Sequence, residues 1–250
     1  MIMTGENTTE NTVQQGAPGE QGNAAGENAG ARTVTAGCLL HGFGAGPEDL
    51  LPLRPLLGPD LAWIAPRAPV PLEIHGSVWG HAWFPRDTRE QQEALSGSYF
   101  QRLQDMEPPG LLEAARVVRA AVDEAGFDWS RLVLVGFSQG AMVAAELLRQ
   151  ALKGDGPMPA GAVLFSGALL ARRWWEDLPS RDAPGAPLQR AAVFQSHGDQ
   201  DPILPEPEGR ALADVLQAAR FPLEWRRFAG DHTIPPVIAR EAGEFLRRIG

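Results

Sequence analysis

Cysteine is nearly absent from this chain: there is one, Cys38, among 250 residues. A single cysteine excludes a disulfide within the chain and any cysteine-built metal site, and its place inside an apolar run points to a buried strand thiol. Basic residues are missing from residues 1–30, which hold Glu6, Glu10, Glu20 and Glu27 but neither lysine nor arginine. Large apolar side chains are almost missing there too. Such a segment cannot bury enough surface to offset the entropy of ordering, so residues 1–31 read as a disordered acidic tail. No apolar run reaches the length of a membrane span, and the N-terminus has neither the basic region nor the apolar core of a secretory leader. A cytoplasmic address without stable membrane insertion is expected. The net charge of -9 argues against nucleic acid as a partner.

What is present is one α/β domain's worth of alternating elements over residues 32–250. Strands are expected at Thr33–Leu40, Leu61–Pro66, Leu132–Val135, Ala160–Ser166, Ala191–Gln195 and Leu223–Phe228. Helices are expected at Pro109–Gly126, Gln139–Leu152, Glu206–Arg220 and Pro236–Arg248, with an irregular one at Glu48–Leu57 broken by Pro52 and Pro55. Strand and helix in turn, with polar residues falling where strands end, predict a doubly wound, mostly parallel sheet flanked by helices. Residues 67–108 carry four prolines and little periodicity, and are expected to form an irregular lid or binding loop.

The most informative segment is RLVLVGFSQGAMVAA, residues 131–145. Its centre, Gly136-Phe137-Ser138-Gln139-Gly140, fits G-x-S-x-G, a strand-to-helix turn that exposes a serine hydroxyl above a sheet. The turn forces strand and helix together, so small residues must stand two positions to either side of the serine. Five residues alone are a weak signal in a chain with 28 glycines. The apolar strand before and the apolar helix after make it a strong one.

A serine nucleophile needs a base, and the base needs an orienting carboxylate, in the chain order Ser, acid, His. Of the five histidines, only His197 and His232 follow Ser138, and His197 precedes the acid candidates. His232 therefore reads as the base. Asp201 is the preferred acid, since Gly198 and Pro202 carry it past the end of its strand; Asp199, with a turn-forming role, and Asp231 are the alternatives. Two converging amides should hold an oxyanion: that of Gln139, and that of Phe43 in the glycine-rich turn His41-Gly42-Phe43-Gly44.

With these pieces placed, the chain resembles the phospholipase/carboxylesterase family of α/β-hydrolases, which includes the acyl-protein thioesterases. The matching segments are LLHGFGAGPEDLLPL (39–53), GSVWGHAWFP (76–85), LVGFSQGAMVA (134–144), FSGALL (165–170), HGDQDPILP (197–205) and FAGDHTIP (228–235). The resemblance implies the α/β-hydrolase fold, the triad Ser138, Asp201 and His232, the oxyanion donors Phe43 and Gln139, and Trp83 lining the pocket beside the serine. It implies no metal or organic cofactor. Its implied substrate is a small-molecule ester, with acyl-protein thioesterase and lysophospholipase activity as alternatives on the same residues. Members often pair as dimers, although no segment here marks an interface. Two departures, Ala141 for the second glycine after Ser-Gln and Ala45-Gly46-Pro47 after the His-Gly turn, bear on substrate choice rather than chemistry. An intact triad argues against a binding protein on a hydrolase scaffold.

Overall fold

The computed structural model describes residues 33–86, 103–178 and 190–250. The expected acidic tail over 1–31 lies outside the described residues. Six strands form one parallel sheet: β1 (Ala36–Leu40), β2 (Ala62–Ile64), β5 (Leu132–Phe137), β6 (Gly161–Phe165), β7 (Ala192–Gly198) and β8 (Leu223–Phe228), in the order β2-β1-β5-β6-β7-β8. The order reverses between β1 and β5, which is the switch point where such sheets open a crevice at their C-terminal edge.

The central strands β1, β5 and β6 are apolar along almost their whole length because both faces of the sheet are covered. Cys38, Leu40, Leu132, Leu134, Ala162 and Leu164 point to one core, packed by α2 (Leu111–Glu124), α3 (Gln139–Lys153) and α5 (Glu206–Ala218). Their neighbours Leu39, Val133, Val135, Val163 and Phe165 point to the other, under α6 (Pro236–Ile249). Strand alternation thus feeds two cores from one continuous hydrophobic run. The irregular stretch around Pro52 and Pro55 is a 3-10 segment, Pro47–Leu53, followed by one α turn, α1 (Arg54–Leu57). Prolines lack the amide a regular helix needs there. A short helix, α4 (Arg172–Glu176), precedes β7. Among the described residues no helix is long and apolar enough to cross a membrane.

Part of the segment read as irregular is ordered. Residues 70–82 are an antiparallel ribbon, β3 (Val70–Ile74) with β4 (Ser77–Ala82), turning at His75-Gly76. Most of its residues are exposed or half-buried, so it carries no hydrophobic alternation to read. The ribbon clips the turn after β1: the Gly44 amide donates to His81 O at 2.9 Å and the His81 amide to Ala45 O at 3.1 Å. Residues 87–102 of the expected lid, with Tyr99 and Phe100, lie outside the described residues.

Candidate active site

β5 ends in the serine turn. Ser138 has φ 54° and ψ −118°, a positive-φ conformation that costs a non-glycine residue of order 1–3 kcal/mol. Three hydrogen bonds hold it: its amide donates to Phe165 O on β6 at 2.9 Å, and its carbonyl accepts from the Ala141 and Met142 amides at 3.0 and 3.2 Å. Side chains are excluded at both flanks. A Cβ on Gly136 would stand 2.5 Å from the Ala141 nitrogen, and one on Gly140 would be driven into Leu40 O and lie 2.7 Å from His41 O. The serine itself is nearly buried.

The turn after β1 runs beside it. A Cβ on Gly42 would lie 3.2 Å from the Phe137 ring and 3.6 Å from the Ser138 Cβ, so only a bare backbone passes close to the serine. His41 anchors this turn. The Ala68 amide donates to its Nε2 at 3.2 Å, which puts the proton on Nδ1, 2.8 Å from Gly42 O. Burial lowers the His41 pKa more than that hydrogen bond raises it, so the ring stays neutral. Among the described residues, neither the Phe43 nor the Gln139 amide has a protein acceptor. Both residues line the cavity at Ser138, where oxyanion donors would have to stand.

The Gln139 side chain has a role the motif did not disclose. Its Oε1 accepts from the Trp83 amide and its Nε2 donates to Phe84 O, each at 2.8 Å. This buried amide ties the serine turn to the residues after β4. Replacing it by alanine orphans two buried backbone groups. Gln139→Ala is expected to lose about 2 kcal/mol in denaturant unfolding, and to reduce turnover far less than loss of Ser138, since the backbone donor remains.

The candidate acid and base come from neighbouring strand ends. The β7–β8 register pairs Gly198 with Phe228, so both loops leave the sheet at one level. Asp199 stitches them: its amide donates to Phe228 O at 2.9 Å and its Oδ1 accepts from the Gly230 amide at 3.3 Å, while the Gln200 amide reaches Gly230 O at 2.9 Å. The carboxyl of Asp201 is then 2.6 Å, Oδ2 to Nδ1, from His232. Its Oδ1 accepts from the Ile203 and Leu204 amides, both at 2.9 Å. Burial would raise the Asp201 pKa, but hydrogen bonds from His197, His232 and the Leu204 amide outweigh it and hold the carboxyl well below the usual range. Asp201 is therefore charged, and His232 carries its proton on Nδ1 with Nε2 left as a base. The His232 ring lies on Phe137, the residue before Ser138, at 4.8 Å between centroids. No hydrogen bond joins His232 to Ser138 among the described residues; such bonds commonly tighten only with substrate bound.

A narrow cavity of about 40 Å³ opens at Ser138. Phe43, Phe84, Leu103, Met106, Met142 and Leu170 give it mostly apolar walls, and Arg86 stands at one side over the Phe43 ring at 5.6 Å. Trp83 is not among the cavity's lining residues, contrary to the expectation for it. It is fully buried, its indole N–H donates to His41 O at 2.8 Å, and Phe84 takes the wall instead. The physical reason is the indole's need for an acceptor, met by the backbone beneath the β1 turn. Trp79 lies outside, half-exposed, with its ring edge on Phe43 at 6.4 Å. Of the alternative acids, Asp199 forms the loop stitch, and neither it nor Asp231 is hydrogen-bonded to His232 among the described residues. Sequence order set His197 aside as a base, but it is a second histidine on Asp201, with Nε2 3.3 Å from Oδ2. The His-Gly pair just before the acid loop was the available signal.

Known proteins agree with this architecture. The model of the phospholipase/carboxylesterase family matches residues 27–249. Acyl-protein thioesterase 1 of Gibberella zeae is 24% identical over 194 residues, 76% of this chain and 77% of that protein. Its namesake in Cryptococcus neoformans is 29% identical over 195 residues, 74% of each chain. Among solved structures, esterase PE8 has a TM-score of 0.67 at 28% identity, covering 87% of this chain and 94% of that one. The Bacillus cereus carboxylesterase shares the fold, with a TM-score of 0.61 at 22% identity over 87% of this chain and 89% of that one. The chain belongs to the phospholipase/carboxylesterase family of α/β-hydrolases.

Proposed function

We propose that this protein is a serine carboxylesterase working through Ser138, His232 and Asp201. The observation that carries the reading is the 2.6 Å pair of Asp201 and His232, set against Phe137 beside a strained serine. Ser138 Oγ attacks the acyl carbonyl while His232 Nε2 takes its proton. Asp201 keeps the imidazole in the right tautomer and stabilises its cationic form. The Phe43 and Gln139 amides hold the tetrahedral oxyanion. The alcohol leaves with the proton from His232, and water, deprotonated by the same imidazole, then releases the acid from the acyl-enzyme. Apolar walls around the serine suit a hydrocarbon acyl or alcohol group.

A second reading is favoured by the names of the two fungal relatives: a thioesterase acting on acylated proteins, on the same residues. Hydrolysis of p-nitrophenyl esters from acetate to palmitate, beside matched acyl-thioesters, separates the two. A carboxylesterase is expected to turn over short or medium oxygen esters at least as fast as the thioesters. A preference for long-chain thioesters moves the assignment to protein deacylation, and equal rates for wild type and Ser138→Ala sink both.

A further inference from the structure

His197 takes no part in the reaction outlined above, yet it is fully buried at the C-terminal end of β7 against the acid residue. Its Nε2 faces two oxygens, Leu204 O at 2.7 Å and Asp201 Oδ2 at 3.3 Å. A nitrogen between two acceptors must carry the proton, so the ring is the Nε2–H tautomer and Nδ1 is bare. That Nδ1 has no hydrogen-bond partner among the described residues. It lies against Gly209 of α5, where a Cβ would collide with it and stand 2.8 Å from the ring's Cε1. Trp225 of β8 stacks on the ring at 6.5 Å and 23°. The ring is thus held between a glycine and an indole, with one polar atom left unsatisfied. A hydrocarbon side chain would fill the space without that cost. What histidine supplies there is one N–H, aimed at the acid loop.

We infer that His197 is a positioning residue for the hydrolytic reaction: its N–H joins Leu204 O to Asp201 Oδ2 and fixes the carboxylate rotamer that presents Oδ2 to His232. The inference rests on the triad reading. Asp201 Oδ1 is already held by the Ile203 and Leu204 amides. Those two bonds hold only the Oδ1 edge. The contact from His197 at 3.3 Å meets the Oδ2 edge, the one that faces the base. Oδ2 is therefore shared by two imidazoles, one permanently buried and one, His232, partly open at the site. Glu208, the other carboxylate near His197, is turned to Gln104 instead, whose Nε2 donates to its Oε2 at 3.1 Å.

The test is a double-mutant cycle read by ester hydrolysis and by the rate at which a fluorophosphonate labels Ser138. His197→Leu is expected to lower kcat about 10- to 100-fold with KM near that of the wild type, the signature of a misaimed base. His197→Gln, which keeps a donor of similar reach, should recover most of that loss. In an Asp201→Asn background His197→Leu should cost less than about threefold more, because the group it acts through is gone. Wild-type kcat in His197→Leu, or the full loss repeated in the Asp201→Asn background, overturns the inference. If the leucine variant does not fold, His197→Gln is compared with His197→Asn, whose amide is too short to reach Oδ2. Gln exceeding Asn by about tenfold in kcat supports the role, and equal kcat overturns it. Wild-type protein that fluorophosphonate does not label at Ser138 would instead remove the triad reading itself.

Discussion

Ser138→Ala is expected to lower kcat for ester hydrolysis by about 10⁶-fold, with the folded structure intact. The size of the effect follows from the site's architecture. His232 and Asp201 have no other hydroxyl to activate among the residues lining the cavity, so no acyl-enzyme forms and the two amides are left to stabilise only the oxyanion of direct water attack. Residual turnover would come from the oxyanion donors and substrate binding alone. A variant keeping more than about a hundredth of wild-type turnover places the nucleophile elsewhere. Alanine retains a Cβ, so the φ of 54° remains strained and the unfolding free energy should hardly move. Ser138→Gly, equally inactive, removes that Cβ and is expected to unfold about 1–2 kcal/mol less readily. Activity and stability would then change in opposite directions at one residue, which denaturant melts on the two variants would show directly.

Gly140→Ala is expected to cause the largest loss of stability. Its new methyl would be pushed into Leu40 O and sit 2.7 Å from His41 O, both backbone atoms with no flexible end to give way. Overpacking against side chains costs about 1–3 kcal/mol, and against a central strand's carbonyls the cost should exceed that range. Either the protein fails to fold at 37 °C or α3 shifts off the turn after β1. A shift would separate the Phe43 and Gln139 amides and reduce kcat even where the variant survives, so expression level and turnover are both read. Ala141, one residue on, shows the contrast. Its side chain is accommodated in the core, fully buried. A substitution at 140 that left both Tm and kcat unchanged would contradict the packing described for this turn.

Much of the sheet was legible because its signals are local. The expected strand Leu223–Phe228 and the starts of three helices, at Gln139, Glu206 and Pro236, coincide with the observed elements. Apolar runs of five or six residues bounded by Gly, Pro or Asp read as buried strands, since both faces are covered and nothing alternates. The β7 strand was read too short. It continues past Gln195 through Ser196 and His197 to Gly198, residues that look like a loop until their burial is known. The β3–β4 ribbon leaves no strand pattern in the sequence because most of it is exposed or half-buried and it contains Pro71 and Gly80. Gly80 is there because the Gly44 backbone passes directly over it, a constraint that acts between residues 36 positions apart and leaves no local pattern.

The sequence by itself determined the serine turn and its frame. Gly136 and Gly140 must be glycine for one tight turn around Ser138, and a turn is a short-range object. It also determined the parallel sheet, through the alternation of strand-like and helix-like segments. What only the tertiary structure decided is which polar groups meet. Asp201 and His232 come together because Gly198 and Phe228 are paired in register and Asp199 ties the two loops. His197 turns inward onto Asp201 because Gly209 leaves room for its ring and Trp225 covers it. Trp83 leaves the cavity to Phe84 because its indole needs the His41 carbonyl. In each case the partner lies far along the chain. Side-chain periodicity reports which face of an element is buried, but not which distant hydrogen-bonding group waits on that face.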